Sequence, residues 1–189
     1  LNLSVERKVY ARKCEVREVT TAEAAHFLKE NHIQGYSPST VKLGLFENGT
    51  NLLVACATFR KDSAKSGSYV LTRYATNCQV VGGHSKLLKH FQSHWQFDEL
   101  VTFADLAFSY GDLYLKTGWH EERSLYPDYC YVVGKERHHK FGYRLKRFRD
   151  DSDLLWQEGL TEWQLAELNG LERLYDAGKL RFTWSKTIR

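Results

Sequence analysis

The chain has 189 residues, 42% hydrophobic, 14% aromatic and 26% charged, with a formal net charge of +4. That length fills one core, or one core with an appendage, and no apolar run approaches the ~20 residues that a membrane-crossing helix requires. The composition is that of a soluble globular protein without a signal peptide, which excludes a membrane partner and points to the cytoplasm.

The first residue is Leu and there is no Met, so the chain reads as a piece of a longer polypeptide. Residues 1–13, with Arg7, Lys8, Arg12 and Lys13, read as a linker or the tail of a preceding domain. Cys14 to Val19 alternates as a strand does. Thr20 with Glu23 has the capping-box spacing and opens a helix to about Glu30. Asn31 to Pro38 is punctuated by Gly35 and Pro38 and reads as a loop, with His32 in it. Val41 to Phe46 and Leu52 to Phe59 are apolar runs on either side of Asn48-Gly49, a hairpin signal. A polar loop then leads to a strand over Tyr69 to Ala75. Arg73 lies inside that strand, where an unpaired guanidinium is costly. It is expected to pair with an acid or to face a cleft and meet phosphate or carboxylate.

The stretch from Gln79 to Trp119 is the centre of the chain. Val80-Val81-Gly82-Gly83-His84-Ser85-Lys86 leaves an apolar segment and enters a helix with apolar positions Leu87, Leu88 and Phe91. Paired glycines expose backbone N–H groups, and a helix N-terminus carries partial positive charge, so the turn suits a phosphate or another anion. A plain tight turn with a helix cap is the equal alternative. Leu100 to Ala104 is apolar enough for a central strand and ends on Asp105. Ligands of open α/β sheets gather beyond such strand ends, although Asp there also serves as a cap. A second helix closes on Gly118-Trp119.

Strands over Trp119 to Arg123 and Tyr129 to Val133 flank a turn at Tyr126-Pro127-Asp128. From Lys135 to Arg149 there are seven Lys or Arg against one Glu, with His138, His139, Phe141, Tyr143 and Phe148 interleaved. Such clustering suits phosphate contact with base stacking, and a solvated surface is the bland alternative. Thr161 to Leu168 is a short helix, and Leu171 to Tyr175 with Lys179 to Trp184 reads as a terminal hairpin. Trp156, Trp163 and Trp184 are expected to form the small core of this appendage. The four cysteines (Cys14, Cys56, Cys78 and Cys130) lack paired zinc spacing and read as reduced thiols. The expected fold is mixed α/β (α+β): a largely antiparallel sheet flanked by helices, with a small C-terminal helix-hairpin appendage. The segments are 1–13, 14–134 and 135–189.

This order of parts resembles the GNAT N-acyltransferase fold. Gln79-Val80-Val81-Gly82-Gly83-His84 is similar to its acyl-CoA loop, with His84 where that pattern has Gly or Ala. Tyr114-Leu115-Lys116-Thr117-Gly118-Trp119 is similar to its Tyr-x-Lys-x-Gly-Phe ending. The chain also resembles the Mom group of phage DNA-modification proteins, through His32, Pro38, Leu43-Gly44-Leu45, Phe103-Ala104-Asp105, Gly111, Tyr114, Trp119 and Gly134-Lys135-Glu136-Arg137-His138. With Asn169-Gly170 and Tyr175-Asp176-Ala177-Gly178 it further resembles a C-terminal domain of phage homing-endonuclease-like proteins. These resemblances imply transfer of a small acyl or carbamoylmethyl-type group to adenine N6 of DNA, in the cytoplasm of a phage-infected bacterial host. The donor would be acetyl-CoA or another acyl donor.

Asp105 and His32 would then move a proton or orient the amine, assisted by Tyr114 as an acid. Gly82, Gly83, His84, Ser85 and Lys86 would hold the donor's anionic group. Arg73, Lys135, Arg137, His138, Lys140, Arg144, Lys146 and Arg147 would meet DNA. His32 and Asp105 supply two ligands of an incomplete metal set. Two rivals stay open: a non-catalytic DNA-binding module accompanying a nuclease domain in the same longer chain, favoured by the ring at His84, and an N-acetyltransferase of another amine.

Overall fold

The computed structural model describes residues 7–185; the first six residues of the stretch read as a linker lie outside them. The chain divides into two units. The first comprises Leu1–Phe103, Gly111–Glu122 and Arg181–Arg189, and the second comprises Ala104–Tyr110 and Arg123–Leu180.

The first unit begins with β1 (Lys8–Tyr10), a 3-10 turn, β2 (Cys14–Glu18) and α1 (Thr21–Asn31). Next come β3 (Val41–Glu47), β4 (Leu53–Lys61), β5 (Ser68–Thr76), β6 (Gln79–Val81) and α2 (Gly83–His94). β7 (Glu99–Asp105), α3 (Asp112–Lys116) and β8 (His120–Leu125) follow, and β12 (Lys179–Ser185) closes the chain. β2 to β5 are antiparallel neighbours, β5 pairs β7 in parallel, and the sheet order is β2-β3-β4-β5-β7-β12-β8. The mixed, largely antiparallel sheet is the expected one.

α1 starts where the capping box places it. Thr20 Oγ1 accepts from the Glu23 N–H at 3.2 Å, and the Glu23 carboxylate accepts from the Thr20 N–H at 2.8 Å. Thr20→Ala is expected to cost about 1 kcal/mol, because a helix N–H loses its acceptor; a urea midpoint unchanged from wild type would refute this. Phe27 and Leu28 of α1 pack with Val19, Cys56 and Ala75. On the other face of the sheet, Phe59 of β4 stacks on Phe91 of α2 with ring centroids 3.9 Å apart. Cys56 and Phe59 point to opposite faces because strand side chains alternate.

In the second unit, β9 (Tyr129–Val133) lies between β10 (Glu136–His139) and β11 (Glu172–Tyr175), beside α4 (Leu145–Asp150) and α5 (Glu162–Leu168). Its core is Tyr131, Tyr143, Phe148, Leu165 and Ala166.

Four expectations are corrected here. β11 pairs with β9, whereas β12 sits between β7 and β8, so there is no terminal hairpin. Trp156 and Trp163 are exposed, and Trp184 packs on Phe97 in the first unit, so the tryptophans do not form the appendage core. Tyr143 and Phe148 are buried and present no stacking face. Residues 8–13, read as linker, form β1 and the 3-10 turn. No helix among the described residues is long and apolar enough to cross a membrane.

Candidate functional site

The first unit builds its site where two parallel strands part. β5 and β7 pair with Ser68 opposite Glu99, Tyr69 opposite Leu100 and Val70 opposite Val101. The Thr102 hydroxyl then donates to the Leu71 carbonyl at 3.1 Å. Beyond this both strands run on, to Thr76 and Asp105, with no further paired register among the described residues.

A bulge sets what faces the gap. Opposite β4 the register slips, so that Thr58 faces Arg73 and Phe59 faces Leu71, leaving Thr72 as the extra residue of β5. One extra residue reverses the alternation of the strand. Leu71 and Tyr74 therefore share the α2 face although they are three positions apart, and Arg73 is turned to the α1 face. The Thr72 hydroxyl fixes the bulge by donating to the Thr58 carbonyl at 3.0 Å.

Both glycines of the turn have a reason. Gly82 is left-handed, with φ +75°. A Cβ at Gly83 would stand 2.9 Å from the Tyr74 hydroxyl oxygen and 2.8 Å from Val80 Cγ1, so only Gly allows α2 to start there. The Tyr74 phenol oxygen accepts from the His84 backbone N–H, and burial pushes this phenol up to about 12.

The His84 ring turns inward, edge-on to Tyr74 at 5.0 Å and to Tyr114 at 5.7 Å, with Trp119 at 6.4 Å. It is 4% exposed, and burial lowers its pKa to about 4. Neither ring nitrogen of His84, nor the Trp119 indole N–H, has a hydrogen-bond partner in the structure. Tyr114 of α3 is hydrogen-bonded to the Thr102 side chain; burial nevertheless holds its phenol above the ordinary value. The outer side of the turn is covered by β1, which pairs in parallel with β6 (Lys8 opposite Gln79, Tyr10 opposite Val81). Lys86 Nζ donates to the carbonyls of Ala11 at 3.0 Å and Cys14 at 2.5 Å.

No protein-family profile and no curated protein sequence matches the chain. Solved structures do. A Bacillus subtilis acetyltransferase in complex with CoA has 11% identity and a TM-score of 0.51, covering 92% of this chain and 99% of that one. The ribosomal-protein-S18-alanine N-acetyltransferase of Escherichia coli has 13% identity and a TM-score of 0.52, covering 93% and 96%. The spermidine/spermine N-acetyltransferase SpeG of Vibrio cholerae has 8% identity and a TM-score of 0.54, covering 93% and 94%. The chain has the GNAT acetyltransferase fold.

Within this GNAT fold the expected site residues fall into separate groups. Gly82, Gly83, His84, Ser85 and Lys86 lie together at the start of α2, with Tyr114 against the His84 ring. His32 and Arg73 come together on the α1 side of the first unit. His32 Nδ1 accepts from the Gln34 N–H at 3.1 Å; burial first, and then the Arg73 guanidinium, lowers its pKa. Arg73 was expected to meet an acid or a cleft anion. Its guanidinium is instead bonded to backbone, Nε to the Gly35 carbonyl at 2.9 Å and Nη1 to the Thr72 carbonyl at 2.7 Å.

Asp105 belongs to the second unit. One of its carboxylate oxygens accepts from the Ala107 N–H at 3.0 Å. No group of three or more His, Cys, Asp or Glu able to hold a metal occurs among the described residues.

Most of the basic segment is paired within the second unit: Lys140 with Asp128, Arg144 with Glu162, Arg147 with Asp151, and His138 near Glu136. Lys146 lies within electrostatic range of Asp150. Arg144, Lys146 and Arg147 line a depression of about 640 Å³ with Phe141. Lys135 and Arg137 are exposed on the β9–β10 hairpin. Sequence reasoning missed Tyr74 and Thr102, whose roles depend on the bulge and the parting strands. No local signal in the sequence marks either residue.

Proposed function

We propose that the chain is an N-acyltransferase of GNAT type whose acceptor is an amine of DNA, with adenine N6 the leading candidate. The observation that carries this reading is the parting of β5 and β7 beside the Thr72 bulge, with the Tyr114 phenol close by. Coenzyme A is bound in the B. subtilis neighbour, and the donor in this reading is an acyl-CoA. One edge of β6 is bonded to β1 and the Lys86 ammonium is committed to two carbonyls, so the backbone of the Gly82-Gly83 turn, rather than the Lys86 side chain, would hold its anionic group.

In the transfer, a carbon–nitrogen bond forms at the acyl carbon as the bond to the leaving atom breaks. Burial keeps the Tyr114 phenol protonated at pH 7, so it can give its proton to the leaving atom. The proton that the amine sheds goes to solvent, since His32 stands with Arg73 in a separate group from Tyr114. Within the second unit, Lys135, Arg137 and the remaining basic residues can meet phosphate.

The test is mass spectrometry of nucleosides from DNA incubated with the chain and acetyl-CoA. An acetyl mass gain on deoxyadenosine is expected, and Tyr114→Phe should slow it by about 10²-fold. Unmodified nucleosides despite DNA binding would establish the second reading, a non-catalytic DNA-binding module beside a nuclease. The β1 cover favours that module. Stabilisation by acetyl-CoA without DNA affinity would identify an acetyltransferase of another amine.

A further inference from the structure

Among the exposed rings of the second unit, three stand on two loops, 106–110 and 126–128, and take no part in its core. Phe108 is 63% exposed, Tyr110 75% and Tyr126 93%. Rings presented so openly lower solubility unless they meet a partner.

The two loops that carry them are tied together. The Leu106 N–H donates to the Gly178 carbonyl at 3.0 Å. Gly178 has φ +86°, and a Cβ there would stand 2.6 Å from the Leu125 carbonyl oxygen and 3.6 Å from Leu106 Cδ1. The Tyr175-Asp176-Ala177-Gly178 turn is thus the joint between the loops. Its Asp176 carboxylate accepts from the N–H groups of Asp128 and Gly178, both at 2.9 Å.

Asp105 closes the first loop, since its carbonyl accepts from the Phe108 and Ser109 N–H groups at 2.9 Å. One carboxylate oxygen of Asp105 accepts from the Ala107 N–H. Asp128 ends the second loop and takes Lys140 Nζ at 2.5 Å, joining it to the basic segment. That segment presents Lys135 and Arg137, both exposed, on its hairpin.

Resting on the DNA-acceptor reading above, we infer that Phe108, Tyr110 and Tyr126 form a stacking platform for unpaired bases of single-stranded DNA, whose phosphates Lys135 and Arg137 meet. Tyr and Phe faces accept any base, and duplex stacking hides the base faces that such rings require. The charge on the hairpin complements the strand's backbone. The platform therefore selects the opened strand over the duplex.

The test uses fluorescence anisotropy of the full chain with a labelled 20-nucleotide strand and with the same sequence as duplex. The wild type should bind the single strand more tightly. Replacing Phe108, Tyr110 and Tyr126 together by Ala should weaken single-strand binding by about 100-fold or more, with the salt dependence unchanged. Replacing the three by Leu keeps apolar bulk and removes the aromatic faces, so the same loss guards against a folding defect. Lys135→Ala with Arg137→Ala should instead flatten the salt dependence by about one to two in slope. Equal affinity for duplex and single strand, or ring variants binding within about threefold of wild type, would overturn the inference. DNA acetylated by a chain that fails this test would keep the transfer reading and remove the platform; a chain that passes yet leaves nucleosides unmodified would do the reverse.

Discussion

Between pH 7 and pH 4 the chain is expected to lose about 3 kcal/mol of stability through His84 alone. The native imidazole titrates at about 4 because burial disfavours its charged form, against an ordinary value of 6.5. The sign follows from proton counting. Above pH 6.5 the ring is neutral folded and unfolded, and contributes nothing to pH dependence. Below that value the unfolded chain binds a proton that the native ring refuses, so stability falls as pH falls towards 4. Each tenfold change in proton activity across the gap is worth about 1.4 kcal/mol.

Carboxylates titrate in the same range, and comparison with His84→Leu removes their share. Leu roughly keeps the volume and deletes two buried nitrogens that have no partner. The variant should be at least as stable as wild type at pH 7, because an unsatisfied buried polar atom costs about 1–3 kcal/mol. Its advantage should widen by about 3 kcal/mol at pH 4 in urea unfolding. Parallel stability profiles for the two proteins would mean that the ring is not buried against Tyr74 and Tyr114. The measurement bears on function as well, since the inward ring packs on Tyr74 and Tyr114 beneath the turn that begins α2.

The features legible in the sequence were those that local chemistry decides. Thr20 and Glu23 lie three positions apart and cap α1 wherever the helix packs. Asn48-Gly49 turns β3 into β4 with Gly49 at φ +87°, a conformation that Gly adopts without strain. Gly82 and Gly83 likewise announce the start of α2.

What stayed hidden was pairing between distant segments. Lys8 to Tyr10 is basic and short, with no alternation to mark it as a strand, and it became one only beside Gln79 to Val81. Asp176-Ala177-Gly178 has the residues of a hairpin turn, yet Gly178 is used to join the Leu125 and Leu106 loops, and the strands on either side enter different sheets. The bulge at Thr72 was silent because composition does not reveal register; it decides that Arg73 bonds carbonyls while Tyr74 meets His84. Aromatic residues default to the interior, so nothing local distinguished buried Tyr143 from exposed Tyr110.

Phe59→Ala should cost about 3–5 kcal/mol, a large part of the about 5–15 kcal/mol that holds an ordinary domain folded. The Phe59 ring is buried and lies 17° from parallel with Phe91 at 3.9 Å. Phe91 in turn contacts Tyr69 at 5.3 Å, Trp95 at 5.2 Å and Phe97 at 5.7 Å, so these rings pack as one cluster. Removing the ring that joins β4 to this cluster leaves a cavity with neighbours on all sides that cannot all move in. Phe59→Leu retains most of the bulk and should lose less than half as much. In urea unfolding, Phe59→Ala should lower the midpoint with little change in slope. A loss below about 1 kcal/mol would show that the neighbours collapse into the space. The consequence reaches the candidate site through α2, whose first turn carries Gly82 and Gly83 and whose middle carries Phe91. Phe59 also sits at the register slip that exposes Thr72. The ring therefore seats the helix that begins at the donor turn, and its loss should loosen that turn.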